Sequence, residues 1–124
     1  MKKITFIGTG YVGLVGGAGI SEFGHQVTCV DIDQEKIERL NAGEIPIYEP
    51  GLKTLVKKNV NNGRLHFSAN ISKTIQKSDI VFIAVGTPQE SNGEANLSAV
   101  EAVAKTISEN LNGYKIVCTK STVP

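Results

Sequence analysis

The segment Gly8-Thr9-Gly10-Tyr11-Val12-Gly13 directly follows a short apolar run, Lys3 to Ile7. Glycines at this spacing serve one kind of chemistry: they let a backbone approach a phosphate. Gly8 allows a tight turn out of a strand. Gly10 leaves no side chain between the backbone and a pyrophosphate, and Gly13 lets a following helix pack closely on the strand. The N-terminus of that helix points free N–H groups and partial positive charge at the anion. Asp31 stands eighteen positions after Gly13, at the end of a second apolar run, Val27-Thr28-Cys29-Val30. A carboxylate there can accept hydrogen bonds from the ribose hydroxyls of an adenosine. Strand, glycine turn, helix, strand and acid together read as a dinucleotide site. A glycine turn alone is a weak signal, and a ligand-free βαβ turn is the plainer reading. That reading leaves the carboxylate at the strand tip unexplained.

The elements that must hold these residues follow in chain order. Leu14 to Phe23 reads as a helix stopped by Gly24. A second helix runs from Asp33, a fair N-cap, through Leu40 to Gly43. Lys36 lies in its first turn, near the expected ribose, and by residue type alone reads as a surface lysine. Two prolines and two glycines shape the loop from Gly43 to Leu52, with Pro50 suited to a helix start. Leu52, Leu55, Val56 and Val60 then recur at helical spacing, up to Gly63. Leu65 to Ala69 is a short alternating strand, with His66 at its surface or edge. Asn70 or Ser72 caps a short helix through Gln76. Asp79 to Gly86 is a continuous apolar strand, as expected for a parallel sheet covered on both faces. A polar loop follows, then a helix capped by Asn96 with apolar positions Leu97, Val100, Ala104, Ile107 and Leu111, closed by Gly113. Tyr114 to Thr119 is a fifth strand, leaving through Lys120-Ser121-Thr122-Val123-Pro124. Alternating strands and helices predict one α/β domain over 1–124, a Rossmann-type doubly wound parallel sheet in strand order 3-2-1-4-5. Its ligand sits beyond the carboxyl ends of the strands. The loops after Asp31, Gly86 and Lys120 should converge there.

Composition narrows the function classes. The 124 residues carry a formal net charge of +1, which gives no electrostatic footprint for nucleic acid. Lys57 and Lys58 read as a solvated helix face. Cys29 and Cys118 lie in apolar runs and read as small buried hydrophobes. They have neither metal-site nor redox-pair spacing, no metal is expected, and free thiols fit a reducing cytoplasm. The charged start followed by a short strand is not a signal peptide, and no apolar run approaches a membrane span.

Five runs, GTGYVGL, DIDQEKI, IPIYEPGL, VGTP and KSTVP, occur in this order along the whole chain. Together they resemble the UDP-glucose/GDP-mannose dehydrogenase family. IYEPGL and KSTVP are not general features of dinucleotide-binding folds, so the combined match is specific. The resemblance implies NAD-dependent oxidation of the C6 alcohol of a nucleotide sugar to a carboxylate. UDP-glucose is the favoured substrate, with a UDP-N-acetyl-hexosamine or GDP-mannose as alternatives. The family proceeds by two hydride transfers, through an aldehyde and a cysteine-bound thioester. Carried over by position, Gly8, Gly10, Tyr11, Val12 and Gly13 line the pyrophosphate, and Asp31 and Lys36 hold the adenosine ribose. Thr87 and Thr122 flank the cofactor nearer its nicotinamide, and Thr122 also helps position water and substrate in a supporting catalytic role. Tyr48, Glu49 and Pro50 belong to a loop that shapes the site.

Two departures from the family stand out. Gly16, Gly17 and Gly19 occupy the helix after the fingerprint, where larger residues and alanine are usual. Each glycine costs about 1 kcal/mol relative to alanine in a helix, so the helix is either weak or packed unusually close. The GGSC-type motif bearing the family's nucleophilic cysteine is also absent, and Cys118, within a strand, does not replace it. The catalytic lysine, asparagine and aspartate and the sugar-binding domain are missing too. The chain is therefore expected to be the amino-terminal part of a longer enzyme, before its central helix, and inactive alone. Complete members are homo-oligomers. A stand-alone NAD-sensing module is a competing reading, but it has no need of KSTVP at the nicotinamide end. IYEPGL and VGTP argue against a hydroxyacyl or phosphogluconate dehydrogenase.

Overall fold

The structure, a computed structural model, describes residues 1–86 and 98–119. Its strands are the apolar runs: β1 (Lys3–Ile7), β2 (Gln26–Val30), β3 (Leu65–Ser68), β4 (Ile80–Ile83) and β5 (Ile116–Thr119). Between them lie α1 (Tyr11–Glu22), α2 (Gln34–Asn41), α3 (Leu52–Asn61), α4 (Ile71–Gln76) and α5 (Ser98–Glu109). The sheet order is β3-β2-β1-β4-β5, and every pair is parallel. This is the doubly wound order that the alternation of elements predicts.

Strand alternation divides the apolar side chains between two cores. Ile4 and Phe6 of β1, Val27 and Cys29 of β2, and Leu65 and Phe67 of β3 join Leu14 and Ala18 of α1. Leu40, Leu52 and Val56 close that core. On the other face, Ile7, Val30, Val81 and Ile83 pack with Ile75 of α4 and Ile107 of α5. Phe6 stacks on Phe82 at 4.7 Å between ring centroids.

The glycines of α1 explain how the helix lies so near the sheet. A Cβ on Gly16 would sit 2.8 Å from Cε2 of Phe6, and one on Gly17 would sit 2.6 Å from Sγ of Cys29. Close packing therefore accounts for these two. Nothing lies within 4 Å of the corresponding position at Gly19.

Several element boundaries differ from expectation. α1 starts at Tyr11 rather than Leu14, with Gly10 as its N-cap. Asn70, not Ser72, caps α4, accepting a hydrogen bond from the Lys73 N–H. α5 ends at Glu109, before Leu111 and Gly113. The stop is made by Asn110, whose side chain donates to the Thr106 carbonyl at 2.8 Å and accepts from Gln76 at 2.9 Å. Leu111 is consequently exposed. The proposed Asn96 cap and Leu97 lie outside the described residues. Cys29 is fully buried, but Cys118 is only half-buried. Among the described residues β5 lies at the edge of the sheet and pairs with β4 alone, and its Ile116 and Val117 are also exposed.

One polar group in the interior was not legible as such. Asn59 of α3 is fully buried. Its amide donates to Glu22 at 2.9 Å and to the Leu55 carbonyl at 3.0 Å, and its oxygen accepts from Arg64 at 3.1 Å. Glu22 also pairs with Lys58 at 2.5 Å. This network ties α1 to α3.

Candidate functional site

The site lies where β1 and β2 end and α1 begins. Gly8 leaves β1 with φ of +112°, a conformation open to glycine. Its N–H donates to the Val30 carbonyl at 2.8 Å, stapling the turn to β2. A Cβ on Gly8 would meet the Ala84 carbonyl oxygen at 2.5 Å, and one on Gly13 would lie 1.9 Å from the Gly8 oxygen. These two glycines allow the turn to nest between α1 and β4.

Gly10 is different. It is exposed, and nothing lies within 4 Å of the place a Cβ would take. As N-cap of α1 it supplies no side-chain acceptor, and the first turn of the helix contains no acidic residue. The leading N–H groups of the helix have no intrahelical acceptor. Backbone donors, open space and the positive end of the helix dipole thus coincide at one point, which fits a pyrophosphate. Tyr11 and Val12, the first residues of the helix, are both exposed. The Tyr11 hydroxyl donates to Glu49 at 3.3 Å, which brings the loop before α3 to the glycine turn.

Asp31 follows the last residue of β2. Its Oδ2 accepts from the Thr9 hydroxyl at 2.7 Å and from the Thr9 N–H at 3.1 Å. Its Oδ1 accepts from the Asp33 N–H at 3.1 Å. The Lys36 ammonium, from the first turn of α2, stands 3.8 Å from Oδ2. Partial burial pushes the Asp31 carboxyl up, but the Thr9 hydroxyl, the Asp33 and Thr9 N–H groups and the Lys36 charge together outweigh it. The group is held below its ordinary value of 3.8 and is charged at neutral pH.

Beside Asp31 a largely apolar slot of about 170 Å³ opens between the strand ends and α5, lined by Ile7, Gly8, Ile32, Val85, Ala102 and Val103. Its walls and its size suit a flat ring. Across Lys36 lies a cleft of about 400 Å³ that Asp33, Arg39 and Glu44 also line.

The structure thus brings Gly8, Gly10, Tyr11, Val12, Gly13, Asp31 and Lys36 to one end of the sheet. Thr87 and Thr122 lie outside the described residues. Thr9 and the apolar slot escaped the sequence reading, whereas Glu49 was expected in a loop that shapes the site and meets Tyr11 there. Thr9 looks like a variable position between two glycines, and its contact with Asp31 spans 22 residues. Spacing could have hinted only at the slot wall, since Ala99, Ala102 and Val103 share one face of a helix. Among the described residues no side-chain cluster can hold a metal, and no helix is long and apolar enough to cross a membrane.

Comparison with known proteins identifies the family of this fold. The model of the UDP-glucose/GDP-mannose dehydrogenase family, NAD binding domain, matches residues 2–124. UDP-glucose 6-dehydrogenase TuaD of Bacillus subtilis is 59% identical over all of this chain, which spans 27% of that relative's length. A solved UDP-glucose dehydrogenase from Pyrobaculum islandicum superposes with a TM-score of 0.94 at 38% identity, over all of this chain and 29% of its own. A GDP-mannose dehydrogenase from Pseudomonas aeruginosa, solved as a ternary complex, gives 0.92 at 37% identity, over 99% of this chain and 29% of its own.

Proposed function

The chain belongs to the UDP-glucose/GDP-mannose dehydrogenase family as its NAD-binding domain, and we propose that it serves an enzyme oxidising UDP-glucose to UDP-glucuronate. The carrying observation is the Asp31 carboxylate, charged and oriented beside a helix N-terminus that lacks any capping side chain. Identity of 59% with a UDP-glucose 6-dehydrogenase favours UDP-glucose over other nucleotide sugars. The protein works in the cytoplasm, in keeping with its free thiols at Cys29 and Cys118.

In this reading residues 1–124 form one cofactor-binding unit. The N–H groups at Gly10, Tyr11, Val12 and Gly13 hold the pyrophosphate, with Gly8 making the turn. Asp31 accepts from the adenosine ribose and Lys36 donates to it. The apolar slot around Ile32 and Val103 takes the adenine. Thr87 and Thr122 flank the nicotinamide end, and the Thr122 hydroxyl supports substrate or water there. NAD, when bound, supplies the hydride acceptor. The substrate domain and the nucleophile belong to the remainder of the enzyme, whose assembly is a homo-oligomer.

Calorimetric titration with NAD tests the binding role, and absorbance of NADH in the presence of UDP-glucose tests the chemistry. The 124-residue chain should bind NAD weakly and turn nothing over. The complete enzyme should produce NADH, and Thr122→Val should lower its kcat without loss of folding. Turnover by the chain alone would overturn the assignment. So would a complete enzyme that binds NAD yet oxidises no nucleotide sugar, which would mark a sensing module instead.

A further inference from the structure

A carboxylate offers about four lone-pair sites to donors. At Asp31, protein donors already use three. The Thr9 hydroxyl and the Thr9 N–H share Oδ2, and the Asp33 N–H takes one site on Oδ1. Thr9 itself is 1% exposed, so its hydroxyl is shielded from solvent and committed to this contact. The Lys36 ammonium approaches the same Oδ2.

Resting on the NAD-binding reading, we propose that Thr9 is a positioning residue for cofactor binding: it grips Oδ2 of Asp31 and turns Oδ1 outward as the one acceptor left for a ribose hydroxyl. Thr9 does not touch the cofactor through its side chain. It acts by removing the rotational freedom of the Asp31 carboxylate before NAD arrives. A hydrogen bond to a charged acceptor is stronger than one between neutral groups, and a carboxylate fixed in advance needs no ordering when the ribose binds. With Asp31 offering a single acceptor, the second ribose hydroxyl falls to Lys36.

The test is a double-mutant cycle read by NAD calorimetry. Thr9→Val keeps the shape and removes only the hydroxyl, and should weaken NAD binding about tenfold. In an Asp31→Ala background, which leaves the hydroxyl no side-chain acceptor, the same change should alter affinity by less than about twofold, because coupled residues are not additive. Thr9→Ser, which restores the hydroxyl, should bind NAD within about twofold of the parent. A pH profile gives a further readout. Lys36 is the charged side chain in ion-pair contact with Asp31 among the described residues, and Thr9 and the Asp33 N–H supply neutral donors. Loss of a donor to the charged form raises a carboxyl pKa. NAD affinity of Thr9→Val should therefore fall off at a higher pH than that of the parent as acid is added. If Thr9→Val does not fold, Thr9→Ala compared with Thr9→Ser makes the same measurement. Additive losses in the cycle, or unchanged affinity on removing the hydroxyl, would overturn the inference while leaving the NAD reading in place. A parent protein that binds no NAD would overturn both.

Discussion

Three glycines within one helix carry the same intrinsic penalty yet should respond oppositely to alanine. In α1, Gly19→Ala adds a methyl into open space. It should stabilise by about 1 kcal/mol, the propensity difference between the two residues, and raise Tm by roughly 3–6 °C for a domain of this size. Gly17→Ala has the same propensity gain. Its Cβ, however, would lie 2.6 Å from the Cys29 sulfur and 3.6 Å from a Val27 methyl, and both residues are fully buried. Overpacking a filled core costs about 1–3 kcal/mol. The propensity term cancels in the comparison, so Gly17→Ala should lie roughly 1–3 kcal/mol below Gly19→Ala. Gly16→Ala should also fall below it, since the Phe6 ring that it meets is itself stacked on Phe82. Urea unfolding of the variants gives the differences directly. Removing the obstacle supplies an internal control: in a Cys29→Ala background, Gly17→Ala should lose most of its penalty. If Gly17→Ala and Gly19→Ala are equally stable, the close approach of α1 to β2 is wrong.

Three further outcomes follow from particular side chains. NAD should bind better than NADP, because a 2′-phosphate would face the Asp31 carboxylate. Like charges about 4 Å apart cost roughly 1–4 kcal/mol, a preference of about fivefold to nearly a thousandfold, and equal calorimetric affinities would sink the claim. The folded-state pKa of Asp31 is lowered, so its contribution to stability is present above the unfolded value and is lost as pH falls through the folded one. The stability gap between the parent and Asp31→Asn should thus be constant near neutrality and shrink below pH 3.8; a gap that closes already at pH 6 would contradict this. Asn59→Ala breaks the three hydrogen bonds of a buried side chain and should cost about 2 kcal/mol or more. Asn61→Ala, on the exposed side of the same helix, should be close to neutral in the same unfolding assay.

The sheet order was readable from local signals, and so was the gathering of the glycine turn and Asp31 at one end of the sheet. Buried parallel strands appear as unbroken apolar runs, and helices appear as steps of three and four. The glycine fingerprint places its functions within a single turn. Asp31 was identifiable because a fixed βαβ geometry puts the end of the second strand beside that turn. Lys36 gained its role only through the family resemblance, and the structure sets its ammonium 3.8 Å from Asp31.

Other features were decided between elements, where one chain read in order carries no signal. Asn59, Asn61 and Asn62 are the same residue type in one stretch, yet only Asn59 is buried, because the rotation of α3 against α1 selects it. Cys29 and Cys118 sit in similar runs, but one strand is central and the other is an edge. Gly16 and Gly17 touch the sheet while Gly19 of the same helix does not. Thr9 meets Asp31 across 22 residues. Periodicity and turn chemistry are properties of the backbone along the chain, so the sequence alone determined the elements and their order in the sheet. The filling of a lone pair or the blocking of a methyl depends on gaps of a few tenths of an ångström between packed elements. Those gaps arise only when all the elements are packed together, and so only the tertiary structure decided them.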